Sequence, residues 1–377
     1  MDTYYYIATS STLVLHIMRF NYVSSICPFC GTGCGMNLIV TDDGIAGIAP
    51  YHRSPVNRGK LCTRGLHTAA ELKNFRIVTP TIGGADADIE AACAKLLELK
   101  GKGAEVYVST RFPTEAINAV QRLAKEVLGV ETVKTFTDAA DLKSTAVLAD
   151  IEAADVILAV DDAMRTLPVT GSKVLRAKDK GAKVFYVGPE NYTAVQANEK
   201  AIIEGEFALP AEFAAALKAA ANGVVICPAA SPYAEAAAKA AEEAGAKFGL
   251  LFETANGRGA VEAGCVPSLS AFKAEEAAPA NMLIFAENPE YLTELYLDLA
   301  EKLEKVENLV VVASNASVLT DIAGTVIPVA AFGEYAGTVV SWDGTAQETP
   351  AAVDAPEGVL TPYALIEKLS NGTIKEA

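Results

Sequence analysis

A chain of 377 residues is long enough for two or three domains with substantial cores. Hydrophobic residues make up 51% and charged residues 21%, which excludes a chain disordered throughout. The formal net charge of -16, from 31 Lys plus Arg against 47 Asp plus Glu, argues against nucleic acid or an anionic membrane surface as partner.

The first twenty residues, MDTYYYIATSSTLVLHIMRF, contain an apolar segment from Leu13 to Met18. No basic residue precedes it and no small-residue cleavage site follows, so it reads as neither signal peptide nor anchor. No stretch of the chain reaches the roughly 18 strongly apolar residues of a membrane span, so direct membrane insertion is not expected. Patterned sequence begins just after Met18, which makes 1–20 an N-terminal extension and Met18 a candidate start.

Residues 21–80 are expected to form a small β-rich domain. MNLIVTDDGIAGIAP (36–50) reads as two strands joined at Asp42, Asp43 and Gly44. Around it stand Cys27, Cys30, Cys34 and Cys62, spaced C-x2-C-x3-C-x27-C. Cys93, Cys227 and Cys265 complete an odd set of seven that does not look like a disulfide framework. In CPFCGTGCG the glycines allow sharp turns and a close backbone approach to inorganic sulfur. Backbone N–H groups in such a loop can face a negatively charged cluster. The fourth cysteine returns in GKLCTRG, again bracketed by glycines. Four thiolates converging on one object fit a [4Fe–4S] cluster. Structural zinc with four cysteines is the rival, although zinc sites more often show two C-x2-C pairs. Either reading implies a reducing, cytoplasmic and anaerobic setting.

Beyond residue 80 the period changes. IEAACAKLLELKGKG reads as a helix, AEVYVST as a buried strand, and TEAINAVQRLAKEVLG as a helix ended by Gly129. The alternation continues with strands at 154–160, 182–188 and 223–229 and helices at 168–181 and 231–245. Further strands are expected at 281–289, 308–315 and 324–330. EYAGTVVSWDGTAQ (334–347) reads as a loop or hairpin. Strand–helix alternation predicts a parallel α/β region over 81–377, as two interleaved Rossmann-like αβα domains, one at about 138–220. Ligands of such sheets bind at the carboxyl ends of strands. No G-x-G-x-x-G dinucleotide fingerprint is present there.

CPFCGTGCG followed by GKLCTRG resembles the N-terminal cluster domain of the molybdopterin oxidoreductases. It is most similar to formate dehydrogenase alpha subunits and the C-terminal part of the large iron–sulfur subunit of complex I, the NuoG-type protein. VYVSTRFPTEAINAVQRLAKEVLG, ANGRGAVEAG, FAENPE and VIPVAAFGEYAGTVVSWDGTAQ resemble later blocks of the family. The resemblance implies one [4Fe–4S] cluster on Cys27, Cys30, Cys34 and Cys62, with Arg64 close beside it.

Three departures from the family pattern bear on function. The expected metal-ligand stretch, ETVKTFTDAADLKSTAVLADIEAAD, holds neither Cys nor His, although Asp138 or Asp141 could offer a carboxylate. Arg64 stands where catalytic members carry Lys. Gly344 and Thr345 stand where the family has a Gly-Arg pair, which removes a bidentate anion contact. The chain is also short beside catalytic alpha subunits. Together these predict a truncated, non-catalytic electron-transfer subunit with no substrate site and no Mo/W-pterin. Its expected partners are iron–sulfur or flavin subunits of a hydrogenase, a formate dehydrogenase or an NADH-linked or bifurcating complex. The alternative is a catalytic Mo/W-pterin subunit of the formate or formylmethanofuran dehydrogenase type, with its cap domain on another chain.

Overall fold

The computed structural model describes residues 20–288 and 299–374. The N-terminal extension, with Met18 and His16, and Pro289 of the expected strand at 281–289 lie outside the described residues.

Three antiparallel strands, Phe20–Ile26, Gly35–Thr41 and Gly44–Pro50, form a meander. Only the last two were legible from the sequence. Register pairs Ile26 with Gly35, so the segment from Cys27 to Cys34 is the connecting loop of a hairpin. Its neck is closed by Cys27 N–H donating to Cys34 O at 2.8 Å. A helix unexpected from the sequence, Thr63–Lys73, follows with Cys62 as its N-cap residue. The cap has no side-chain hydrogen bond and Gly65 weakens the first turn, which is why no start signal shows.

The remainder builds two sheets. The outer sheet has eight strands, in the order Val266–Pro267, Val133–Thr135, Glu105–Val108, Asn281–Glu287, Asn308–Ala313, Thr325–Pro328, Thr81–Ile82 and Ala85–Asp86. Its first six strands run parallel and the last two pair antiparallel. The inner sheet is wholly parallel, in the order Glu199–Ile202, Lys183–Gly188, Val156–Val160, Gly223–Pro228 and Lys247–Leu251. All five of its strands fall in the sequence between Val133–Thr135 and Val266–Pro267, which are neighbours in the outer sheet. The inner sheet therefore runs past the 138–220 stretch expected from sequence, out to Leu251. Its last strand, KFGLL, was hidden by Gly249, a residue that weakens strand patterning. Gly249 is required there, because a Cβ would lie 2.9 Å from Cζ3 of the fully buried Trp342.

Four apolar clusters form among the described residues, and the two largest are separate. One gathers Ile157, Leu158, Phe185, Val225, Leu250 and Trp342, the other Val106, Phe112, Leu283, Phe285, Val310 and Ile366. Each such large apolar side chain contributes on the order of 1.5–3 kcal/mol by leaving water. The segment read as a loop or hairpin is a hairpin, Gly337–Val340 against Ala346–Thr349. Cys265 is buried, and its Sγ accepts from Gln121 Nε2 at 3.2 Å.

Candidate active site

In each sheet the strand order reverses direction at one place. In the inner sheet the chain leaves Val156–Val160 to one side and returns on the other with Gly223–Pro228. In the outer sheet the corresponding pair is Glu105–Val108 and Asn281–Glu287. Loops diverge at such a point and leave a crevice beyond the strand ends.

The outer reversal carries Ser109, Thr110 and Arg111 on one side and Glu287 and Asn288 on the other, all five buried. Arg111 Nη1 lies 3.5 Å from Glu287 Oε2, with both side chains almost fully out of water. Arg111 Nε donates to Pro28 O at 2.9 Å, and its guanidinium stands 5.6 Å from the centre of the Phe29 ring. The inner reversal carries Asp161, at φ 54°, which accepts from Ser231 Oγ at 2.9 Å. Asp162 accepts there from Thr193 Oγ1 at 2.9 Å.

The cysteine loop docks onto both edges. Gly31 N–H donates to Phe252 O at 3.1 Å, beyond the last inner strand. Trp342 N–H donates to Gly31 O at 2.8 Å, and Gln347 Nε2 to Gly33 O at 3.2 Å, both from the hairpin region. Thr32 Oγ1 meets Thr170 Oγ1 at 3.1 Å on the inner unit's helix Pro168–Asp179.

Cys27, Cys30 and Cys34 are buried, and Cys62 is half-buried at the positive end of its helix. A Cβ on Gly65 would lie 3.5 Å from Cys27 Sγ, which brings the Cys62 segment against the loop. Burial pushes the thiols of Cys27, Cys30 and Cys34 up, and neighbouring cysteines add to the shift at each of the three. Such a donor set favours a cation that replaces the protons. Among the described residues no three Cys, His, Asp or Glu side chains are grouped for a single metal ion.

Arg64 sits in the first turn of the helix after Cys62, exposed, with Nη2 donating to Thr166 O at 3.4 Å. It acts electrostatically on both Cys30 and Glu253. Glu253 was not singled out in the sequence. Its side chain reaches solvent, yet surrounding protein raises its pKa by desolvation, against the pull of Arg64. Thr254 next to it shares a short hydroxyl contact of 2.5 Å with Thr110, so Glu253 lies between the cluster loop and the outer reversal.

The carboxylates considered as metal ligands are placed elsewhere. Asp138 accepts from Ser270 N and Oγ at 2.9 and 2.6 Å, and so caps a helix. Asp141 is exposed. His67 Nδ1 is 2.8 Å from Thr63 O in its own helix, and His52 packs on Gly59.

Two clefts have volumes suited to ligands. One of about 400 Å³ lies by the inner strand ends, lined by Met164, Arg165, Ser172 and Tyr192. One of about 670 Å³ lies on the cysteine-loop domain beside Asp42, Lys73 and Glu334, and the N–H of its lining residue Phe332 donates to Glu287 of the outer reversal at 3.4 Å. Chemistry rather than volume favours the first.

The arginine missing at position 345 has a counterpart in space. The Arg258 guanidinium fills the place over Gly344, where a Cβ would meet its Cζ at 3.0 Å. Arg258 Nη1 donates to Trp342 O at 3.0 Å, and Nε pairs with Glu262 at 2.7 Å.

The fold is thus a small cysteine-loop domain set against two mainly parallel α/β units, each with one reversal of strand order. The model of the molybdopterin oxidoreductase Fe4S4 domain matches residues 20–74, and that of the molybdopterin oxidoreductases matches 89–371. The chain belongs to the molybdopterin oxidoreductase family. It is 30% identical over 194 residues to the F420-dependent formate dehydrogenase subunit alpha of Methanocaldococcus jannaschii. That match covers 46% of this chain and 29% of the relative. It is 30% identical over 208 residues to the F420-dependent formate dehydrogenase 1 subunit alpha of Methanococcus maripaludis, covering 48% and 30%. Among solved structures it resembles acetylene hydratase from Pelobacter acetylenicus, with a TM-score of 0.56 and 12% identity, over 93% of this chain and 69% of that one. That likeness shows the fold alone.

These findings overturn the expectation of a non-catalytic electron-transfer subunit without a Mo/W-pterin. The match to the molybdopterin domain spans most of the chain, and the relatives are formate dehydrogenase alpha subunits. The expectation rested on missing residues at fixed sequence positions.

Proposed function

We propose that this chain is the cluster- and pterin-binding part of a molybdenum or tungsten enzyme of the formate dehydrogenase type. The observation that carries this reading is that one cysteine loop is hydrogen-bonded to the carboxyl-end loops of both sheets. A cofactor held beyond the strand ends would then lie beside the cysteine loop.

In this reading Cys27, Cys30, Cys34 and Cys62 ligate one [4Fe–4S] cluster, and Arg64 offsets part of its negative charge. Arg165, which lines the cleft by the inner strand ends, and Arg258 would hold the anionic pterin cofactor. When bound, that cofactor supplies the two-electron oxidation or reduction of a small substrate. Formate oxidation releases CO2, one proton and two electrons. We assign the proton to Glu253, whose neighbours Phe252 and Thr254 meet the cysteine loop at Gly31 and the outer reversal at Thr110. Arg111 holds Pro28 and thereby fixes the cluster loop against the outer reversal.

The proposed domain division is a cluster domain over 21–80 and an α/β region beyond it, whose inner unit is inserted between Val133–Thr135 and Val266–Pro267. Electrons would leave through the cluster to iron–sulfur or flavin subunits. Among the described residues no helix is long and apolar enough to cross a membrane. All seven cysteines are free, in keeping with the reducing, cytoplasmic setting we propose. The test is formate-dependent reduction of a viologen dye by the anaerobically purified native complex. Turnover lost in Glu253→Gln with its cofactors retained supports the assignment, whereas a complex that ignores formate refutes the substrate.

A further inference from the structure

Lys173 is a charged residue that the helix pattern PVTGSKVLRAKDK places among solvated lysines and arginines, yet it is 3% exposed. Its side chain points inward on Pro168–Asp179, three residues from Thr170, so both lie on one helix face. Thr170 touches Thr32 of the cysteine loop. Lys173 Nζ pairs with Glu152 Oε1 at 2.5 Å. Glu152 Oε2 is also 3.5 Å from Arg58 Nη2, in the cluster domain. Arg58 adjoins Asn57, whose side chain accepts from Gly35 N–H at 3.0 Å and donates to Gly35 O at 2.9 Å. Lys173 thus lies one helical turn from the contact between Thr170 and Thr32, and Thr32 stands two residues before Cys34. Arg58, the other partner of Glu152, follows Asn57, whose side chain holds Gly35 just after Cys34.

Burying a lysine costs several kcal/mol unless it is paired. The pairing with Glu152 offsets that cost. Hydrogen bonding to Lys173 holds Glu152 below the usual carboxylate range, against the effect of burial, so Glu152 carries its charge. The field of Lys173 reaches the sulfur of Cys34.

We propose that the buried Lys173–Glu152 pair sets the reduction potential of the cluster, with Lys173 as the near positive charge and Glu152 as its counterweight. This rests on the four cysteines holding a [4Fe–4S] cluster. The cluster takes up one electron and no proton, so its reduced form is more negative by one charge. A fixed cation nearby stabilises the reduced form more than the oxidised form, and a fixed anion does the reverse. Both are positioning residues that touch neither substrate nor iron.

The test is an EPR-monitored redox titration of the full chain in its native complex, for wild type, Lys173→Met, Lys173→Arg and Glu152→Gln. Removing the cation should shift the midpoint to lower potential. Neutralising the glutamate should shift it upward, and Lys173→Arg should stay near wild type. Opposite shifts separate field from packing, since two packing defects have no reason to differ in sign. If Lys173→Met fails to hold its cluster, Glu152→Gln alone still decides. Unmoved midpoints in variants with full iron content would overturn the proposal. Absence of a cluster from wild type would overturn the cysteine assignment, and with it this inference.

Discussion

Replacing Arg111 by Met removes the cation at the outer reversal while keeping most of the side-chain volume. The Arg111 and Glu287 side chains are 2% and 1% exposed, so solvent screening brings little relief. The variant loses the hydrogen bond to Pro28 O, which as a bond from a charged group is worth about 1.5–3 kcal/mol. It also leaves Glu287 buried without its cation, a change that costs about 3–5 kcal/mol in comparable settings. The two effects overlap, and about 3–5 kcal/mol is the expected total. Native domains hold roughly 5–15 kcal/mol, so the variant should sit near the margin of folding. The assay is guanidinium unfolding followed by the fluorescence of Trp342, whose backbone N–H is bonded to the cysteine loop at Gly31. Several domains unfold here, so the first transition is the one compared. Iron release to a chelator should quicken in parallel, because Pro28 is no longer held. Glu287→Gln in the same background should recover much of the loss, since a neutral amide is less costly to bury. A first transition within about 1 kcal/mol of wild type, or a double variant no better than the single, would refute the reasoning.

Cys34→Ser should lose most cluster iron anaerobically, read by metal analysis and visible absorbance, while Cys93→Ala should keep all of it. Gly171→Ala should cost about 1–3 kcal/mol, because the new Cβ would stand 2.4 Å from the backbone oxygen of Met164, and a thermal melt would read it. Burial raises the Asp155 pKa, but the N–H groups of Asn222 and Ala221, at 2.8 and 2.9 Å, outweigh it and hold the carboxyl below its usual range. Its stabilising effect is therefore complete above the unfolded value of about 3.9 and is lost as pH falls through the lower folded value. Asp155→Asn should weaken the fold near neutrality by about 1 kcal/mol and flatten the acid limb of stability against pH.

Strands such as VILAV, VVICP and MLIFAE are continuous apolar runs, and burial on both faces of a parallel sheet makes such runs readable without any partner in view. The cysteine motif was legible for a similar reason, since three of its four ligands lie in one short loop. Helix Thr63–Lys73 lacked a capping side chain, and strand Lys247–Leu251 carried the glycine that Trp342 needs. Arg111 with Glu287, Lys173 with Glu152, and Arg258 over Gly344 are encounters between distant segments. Their sequence neighbourhoods look like ordinary loops and solvated helix faces. The error about function came from weighing three missing motif residues and a short chain above a resemblance that runs along most of the sequence.

Subunit-resolved metal and pterin analysis of the anaerobically purified native complex tests the central claim most directly. The account predicts about four irons together with stoichiometric molybdenum or tungsten and pterin on this chain. Full iron with no molybdenum, tungsten or pterin would contradict it.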